Sequence, residues 1–131
     1  MTSAERSRIM RAVKSRHTAP EMAVRRLAHG MGYRFRLHRA DLPGKPDLTF
    51  PSRKAVILVN GCFWHGHSCK RGARVPKINA AYWTAKIARN VTRDRGTLAS
   101  LRRHGWRALV VWECEIKNER KLAARIRRFL G

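Results

Sequence analysis

The chain has 131 residues, 44% of them hydrophobic, which is enough for one domain with a real core and too little for two full domains. Its 30 Lys and Arg against 8 Asp and Glu give a net charge of +22, so a polyanion is the expected partner: DNA or RNA first, an anionic membrane surface second. The longest apolar runs have five residues, which excludes a membrane-spanning helix, and charges throughout the first thirty residues argue against a secretion signal.

Two helices are predicted before the first strand. Residues 3–14 have the pattern of a short basic helix. Thr18 and Glu21 have capping-box spacing, in which the Thr18 hydroxyl accepts from the backbone N–H of Glu21 and the Glu21 carboxylate reaches back. The helix that they begin should run to about His29. Apolar and basic side chains then alternate over residues 33–38, which predicts a strand with one basic face.

The rest of the chain predicts a sheet with helices around it. Residues 47–50 form a short strand, and the wholly apolar residues 55–59 predict a central strand that is covered on both faces. A loop rich in Cys, His and Gly leads to a long helix capped by Asn79, and the strand 106–114 precedes a last helix from Asn118. The order α-α-β-β-β-α-β-α predicts an α/β fold with a mixed central sheet flanked by helices, an order shared by many restriction-type nucleases.

The three cysteines are candidate metal ligands. An odd number of cysteines without a secretion signal does not indicate a disulfide framework. Cys62, His65, His67 and Cys69 lie within eight residues, and Cys114 follows at the end of a predicted strand. Three cysteines and one histidine complete a structural zinc site, although the spacing does not choose between the two histidines. The alternative is three unrelated buried cysteines beside two surface histidines.

Acidic residues are scarce, and Asp47 stands at the start of a predicted strand. A carboxylate in that position can bind Mg²⁺ against a phosphodiester, although Asp also caps turns that follow prolines. Phe63 and Trp64 lie in the polar loop, where aromatic side chains can stack on bases or wedge between them. Trp83 is on the apolar stripe of the long helix, where a place in the core is the alternative.

Five segments of the chain resemble one known family, the very short patch repair (Vsr) DNA mismatch endonucleases. They span nearly the whole sequence in order, and the segment Gly-Cys-Phe-Trp-His is highly specific; the segments are residues 6–10, 42–47, 61–65, 86–95 and 105–114. One departure is the pair Val59-Asn60, where a Thr-His pair is common.

The resemblance implies a restriction-endonuclease-like fold in a single domain over residues 1–131. It implies a structural Zn²⁺ whose ligands are Cys62, His67, Cys69 and Cys114. The remaining histidine of the loop, His65, is then the catalytic histidine that activates water.

The same resemblance implies the catalytic metal site and the contacts with DNA. Asp47 binds Mg²⁺, Val59 adds a contact through its backbone, and Glu21 is an acidic residue of the catalytic site. Five aromatic and apolar side chains enter the duplex beside the mismatch: Phe63, Trp64, Trp83, Met10 and Val13. Met10 and Val13 belong to a basic N-terminal segment over residues 1–17 that contacts DNA.

The implied activity is nicking of one DNA strand 5′ to the thymine of a T·G mismatch, which arises when 5-methylcytosine deaminates. The nick initiates very short patch repair. A monomer acting on the nucleoid in the cytoplasm is expected, with downstream repair proteins as partners and no membrane. The alternatives are a non-catalytic DNA-binding protein stabilised by zinc and a small basic structural protein of the ribosome or nucleoid.

Overall fold

The computed structural model describes residues 18–62, 67 and 78–131. Within these residues the order of elements agrees with the predicted order from the second helix onward, while the helix predicted over residues 3–14 lies outside them. Three helices, four strands and two short 3-10 helices are present in the described residues: α1 (Ala19–Gly30), β1 (Arg36–Leu37), β2 (Leu48–Phe50), a 3-10 helix (Pro51–Arg53), β3 (Ala55–Asn60), α2 (Ala80–Arg103), β4 (Arg107–Trp112), a 3-10 helix (Glu113–Lys117) and α3 (Glu119–Leu130).

The four strands form one mixed sheet in the order β1-β2-β3-β4. β1 and β2 are antiparallel, as are β2 and β3, whereas β3 and β4 are parallel, with Val59 opposite Val111. Ala55, Val56 and Ile57 of β3 are fully buried. The prediction of a central apolar strand is therefore confirmed.

Each face of the sheet carries its own apolar cluster. Successive side chains of a strand point to opposite faces, so Ile57 packs with α1 and α3, whereas Val56 packs with Leu101 of α2 and with Trp106. The helices contribute five buried side chains to the first cluster: Val24, Ala28, Leu122, Ile126 and Leu130. The result is an α/β/α arrangement, which confirms the predicted α/β class. No helix in the described part of the chain is long and apolar enough to cross a membrane.

Local hydrogen bonds explain where the helices begin. The Thr18 hydroxyl accepts a hydrogen bond from the Glu21 amide at 3.3 Å, and the Asn118 side chain accepts one from the Lys121 amide at 3.1 Å. The prediction of a side-chain cap at Asn79 is wrong. Asn79 has left-handed backbone angles, with φ of 57°, and its side chain makes no capping hydrogen bond.

Two predicted strands are shorter than their sequence patterns indicate. β1 pairs only through Arg36 and Leu37, which lie opposite Thr49 and Leu48 of β2. β4 ends at Trp112, whose amide donates to the Glu115 carboxylate at 2.8 Å rather than extending the strand. Cys114 consequently lies in the 3-10 helix that follows β4, and its predicted place at the end of the strand is corrected.

The turn before β2 packs tightly against α2. Gly44 has a φ of +74°, and a Cβ atom there would lie 2.3 Å from Cγ2 of Thr97, a side chain with few rotamers. We expect Gly44→Ala to lower the free energy of unfolding by about 1–3 kcal/mol in a urea titration. Gly32→Ala is the matched control, since Gly32 also has a positive φ, of +93°, but a Cβ atom there meets no atom within 4 Å. Equal stability of the two variants would show that the turn can move away from α2.

Candidate active site and metal-binding groups

Three side chains that could bind a cation converge at one edge of the sheet. Glu21 lies in the first turn of α1, His38 directly follows β1, and Asp47 directly precedes β2. Each offers one ligand atom, and these atoms all lie within 4.8 Å of one another. Two of the eight acidic residues of this basic chain are thus brought together. The structure places together Glu21 and Asp47, the two carboxylates predicted for the catalytic site.

Asp47 is held by the central strand. Its Oδ2 atom accepts a hydrogen bond from the Val59 amide at 2.7 Å, which places the Val59 backbone beside the carboxylate. The Val59 side chain packs on the apolar cluster between the sheet, α1 and α3. The pKa of Asp47 is raised to about 7, chiefly by burial and also by the nearby Glu21 carboxylate, whereas the hydrogen bond from the Val59 amide lowers it. Two carboxylates in one place disfavour each other's charge, and a divalent cation relieves that repulsion.

Glu21 is almost fully buried, with 1% of its surface exposed, and it faces His38. Both of its carboxylate oxygens lie 3.0 Å from Nε2 of His38, and the Arg25 guanidinium lies 3.5 Å from one of them. Glu21 therefore makes a tertiary contact in addition to starting α1.

His38 was not among the residues predicted for the site. The sequence pattern places it on the basic face of the strand predicted over residues 33–38, after Arg34 and Arg36. The available signal was the change from arginine to histidine at the end of that alternation. Only the pairing of β1 with β2 shows that this position lies next to Asp47, because the His38 amide donates to the Asp47 carbonyl at 3.3 Å.

A second group combines sulfur and nitrogen. Cys62 follows β3 and is fully buried, and its Sγ accepts a hydrogen bond from the Cys114 amide at 3.4 Å. The Cys114 Sγ lies 3.6 Å from Nδ1 of His67, and the ligand atoms of Cys62, His67 and Cys114 lie within 4.8 Å of one another. The His67 ring stacks on Trp112, with centroids 4.2 Å apart. The structure thus brings together three of the four predicted zinc ligands.

One distance in this group matches the spacing of two ligands on a tetrahedral ion. Ordinary Zn–S and Zn–N bond lengths imply about 3.6 Å between a sulfur and a nitrogen ligand, and about 3.8 Å between two sulfurs. The 3.6 Å between Cys114 and His67 agrees with that geometry. Glu115 supports the segment that carries Cys114, since it accepts from the Trp112 amide and lies 2.6 Å from Arg125 of α3.

The remaining predicted site residues are not placed in either group. Six of them lie outside the described residues: Met10, Val13, Phe63, Trp64, His65 and Cys69. Trp83 is half-buried in the first turn of α2 and packs edge-on against Tyr82, with centroids 5.1 Å apart.

The raised pKa of Asp47 predicts how the pH affects stability in EDTA. Because the folded value of about 7 lies above the ordinary 3.8, the stability that neutral Asp47 contributes is complete below about pH 4 and is lost as the pH rises through about 7. The melting temperature of Asp47→Asn minus that of the parent should therefore increase from about pH 5 to about pH 8.

Asp41→Asn is the control for this measurement. A hydrogen bond from Arg39 keeps the pKa of the exposed Asp41 below its ordinary value, so its charge does not change in that range. The difference between Asp41→Asn and the parent should stay constant. A constant difference for Asp47→Asn as well would show that its carboxyl does not titrate there.

Two neighbouring carboxylates, one buried and one half-buried, in a chain with a net charge of +22 are the arrangement expected of an enzyme that acts on nucleic acid phosphates. Comparison with known proteins identifies the family. The family profile described as DNA mismatch endonuclease Vsr matches residues 1–71. The chain is 53% identical over 129 residues to "Type II nicking enzyme V.XorIIP" of Xanthomonas oryzae pv. oryzae, covering 98% of this chain and 94% of that protein.

Two further relatives agree. "DNA mismatch endonuclease Vsr" of Escherichia coli is 43% identical over 119 residues, covering 91% of this chain and 76% of that protein. "Type II nicking enzyme V.NmeAIP" of Neisseria meningitidis is 38% identical over 129 residues, covering 98% and 91%. The chain belongs to the Vsr family of DNA mismatch endonucleases, which confirms the resemblance seen in the sequence. It is a DNA endonuclease, and DNA is its substrate.

Proposed function

We propose that this protein nicks one strand of duplex DNA by Mg²⁺-dependent hydrolysis, 5′ to the thymine of a T·G mismatch, and thereby initiates very short patch repair. The observation that carries the proposal is the convergence of Glu21 and Asp47 at one edge of the sheet, in a member of a mismatch endonuclease family. A non-catalytic DNA-binding protein would gain nothing from two carboxylates that repel both each other and DNA phosphate.

The described residues supply the acidic half of the site. Asp47 is the ligand for Mg²⁺, oriented by the Val59 amide, and the Val59 backbone is the second contact. Glu21 adds a second negative charge within 4.8 Å. When bound, Mg²⁺ would supply Lewis-acid chemistry toward the scissile phosphate. This arrangement fits the preference of Mg²⁺ for carboxylate and carbonyl oxygens.

Hydrolysis requires one proton to leave water and one to reach the departing oxygen. Water adds to phosphorus, one bridging P–O bond breaks, and the strand ends in a hydroxyl and a phosphate. We assign the proton of the attacking water to His65, on the strength of the family resemblance, because a neutral imidazole accepts a proton near pH 7. The cysteine and histidine group is a structural Zn²⁺ site in this proposal, with Cys69 as the fourth ligand beside Cys62, His67 and Cys114.

The start of α2 supports the proposed role of Trp83 in contacting DNA. α2 has 24 residues and is about 36 Å long, whereas the six residues of β4 span about 20 Å, so the helix is longer than the sheet on which it packs. Only Leu101, near the far end of α2, is fully buried. Tyr82 is 54% exposed, and the Lys86 ammonium lies 5.9 Å from the centroids of both the Tyr82 and the Trp83 rings. An aromatic pair beside a cation suits stacking on bases next to a phosphate.

The test is a nicking assay on two end-labelled duplexes that differ only in a T·G or a T·A pair. With Mg²⁺ we expect the T strand of the mismatched duplex to be cut 5′ to the thymine, and with EDTA we expect no cut. Equal cutting of both duplexes would overturn the proposed specificity. Cutting in EDTA would overturn the dependence on Mg²⁺, and binding without any cutting would favour the non-catalytic alternative.

A further inference from the structure

His38 has no role in the function proposed above, although it completes the group that Glu21 and Asp47 form. Its Nε2 atom lies 3.0 Å from both oxygens of the Glu21 carboxylate. An ionised carboxylate can only accept hydrogen bonds, so His38 is the donor, through an Nε2–H that it carries in either its charged form or one neutral tautomer. A donor placed equally between two oxygens fixes the plane of the carboxylate.

The His38 backbone is itself in an unusual state. Its φ is 47°, in the left-handed region that few residues other than glycine adopt, and its amide donates to the Asp47 carbonyl at 3.3 Å. Non-glycine residues in that region cost free energy, and they are concentrated at functional sites. The strained backbone of His38 thus pairs with Asp47, while its ring reaches Glu21.

We infer that His38 is a positioning residue, which holds the Glu21 carboxylate toward Asp47 so that the two acidic groups bind the cation together. The inference rests on the proposed function of this site. Residues that orient ligand carboxylates from behind commonly change metal affinity or activity by about 10- to 100-fold when they are replaced. The alternative is that the contact only fastens α1 to the sheet, in which case its loss would lower stability and leave cation affinity unchanged.

Three variants of the 131-residue chain separate the effect of the His38 hydrogen bond from the effects of its backbone conformation and of its ring. His38→Gln keeps an N–H donor at the same number of bonds from the backbone as Nε2. His38→Asn tolerates left-handed backbone angles, but its amide is one bond too short to reach Glu21. His38→Ala removes the donor altogether. His104→Asn is the matched control, since His104 is exposed and outside the site.

Mn²⁺ is the probe, and its binding is followed by electron paramagnetic resonance without DNA. We expect the Kd for Mn²⁺ to rise about 10- to 100-fold in His38→Asn and His38→Ala, and to stay within about threefold of the parent in His38→Gln and His104→Asn. In the nicking assay kcat should fall in the same order, with the KM for DNA unchanged. Unchanged Mn²⁺ affinity in His38→Asn and His38→Ala, or no Mn²⁺ binding by the parent, would overturn the inference.

Nitrogen NMR of the metal-free protein tests the hydrogen bond directly. His104 provides an internal reference for a protonated Nδ1, because that atom lies 2.7 Å from the Ser100 carbonyl oxygen, which can only accept a hydrogen bond. We expect His38 to be protonated at Nε2, and Glu21→Gln to weaken that preference. An unprotonated Nε2 on His38 would overturn the inference.

The two proposals can fail separately. A parent protein that binds Mn²⁺ but cuts no duplex defeats the proposed function, and the Mn²⁺ and NMR measurements still decide the role of His38. A parent that cuts the T·G duplex while His38→Asn binds Mn²⁺ and cuts equally well defeats the role of His38 alone.

Discussion

Nicking of a T·G duplex by Asp47→Asn should be at least about a thousandfold slower than nicking by the parent. A bound divalent cation contributes several kcal/mol to stabilising the charge that develops on phosphate, and about 4 kcal/mol corresponds to a thousandfold in rate. The substitution removes the negative charge and leaves an amide oxygen that can still accept from the Val59 amide, which Asp47 contacts at 2.7 Å. The fold should therefore survive while cation binding is lost.

Single-turnover nicking at saturating Mg²⁺ measures this loss, and calorimetric titration with Mg²⁺ shows whether binding is its cause. Asp41→Asn is the matched control, because it makes the same change of charge at an exposed carboxylate that pairs with Arg39. We expect that variant to nick at the parental rate. Activity of Asp47→Asn within tenfold of the parent, with a parental melting profile, would remove Asp47 from the proposed catalytic site.

The residues of the acidic group show where sequence reasoning succeeds and where it stops. The scarcity of carboxylates and the position of Asp47 at the start of a predicted strand make it a candidate, and the resemblance adds Glu21. Capping-box spacing located the first turn of α1, and the Thr18 bond confirms that half of the box. The other half, a carboxylate reaching back, depends on which partners lie nearby in space. One such partner is His38, 17 residues further along the chain, whose Nε2 lies 3.0 Å from the carboxylate.

The lengths of the strands were also beyond the sequence pattern. Alternation over residues 33–38 correctly indicates the apolar side, since the rings of Tyr33 and Phe35 pack edge-on against Phe50. Their ring centroids lie 6.3 and 5.8 Å from that of Phe50. A ladder nevertheless extends only where two strands meet, and only Arg36 and Leu37 of this segment pair with β2. Periodicity is a property of one segment, whereas pairing is a property of two. The apolar strand β3 is easier to predict, because a strand that is buried on both faces has a continuous run of apolar residues, which is visible in that segment alone.

The cysteine and histidine group is recognisable from the residues alone to a greater extent than the acidic group. Soft ligands that are close in sequence have few other roles, so Cys62 and His67 stood out without knowledge of the fold. Spacing alone did not choose between His65 and His67. The resemblance chose His67, and the structure places the His67 Nδ1 atom 3.6 Å from the Cys114 sulfur.

After the loss of activity in Asp47→Asn, the next largest effect should come from removing one of the proposed zinc ligands. This change should lower the stability of the fold rather than impair the chemical step. We expect the parent to contain about one equivalent of zinc and Cys114→Ser to contain far less. Structural zinc contributes its binding free energy to folding, so the loss of even about 3–5 kcal/mol should lower the melting temperature by about 10 °C or more. His67→Ala should have the same effect, whereas His104→Ala, which removes an exposed histidine and its hydrogen bond to the Ser100 carbonyl, should keep the zinc and lower the melting temperature by far less.

Elemental analysis and thermal unfolding, run on the same preparations, measure the two quantities together. The three cysteines of the chain are all proposed ligands, so the matched control for a lost ligand is a histidine rather than a fourth cysteine. Cys62 and Cys114 are already joined by an N–H···S hydrogen bond of 3.4 Å, so Cys114→Ser also tests whether that bond holds the segment by itself. Full stability of Cys114→Ser without zinc would show that it does, and that the ion is dispensable for the fold.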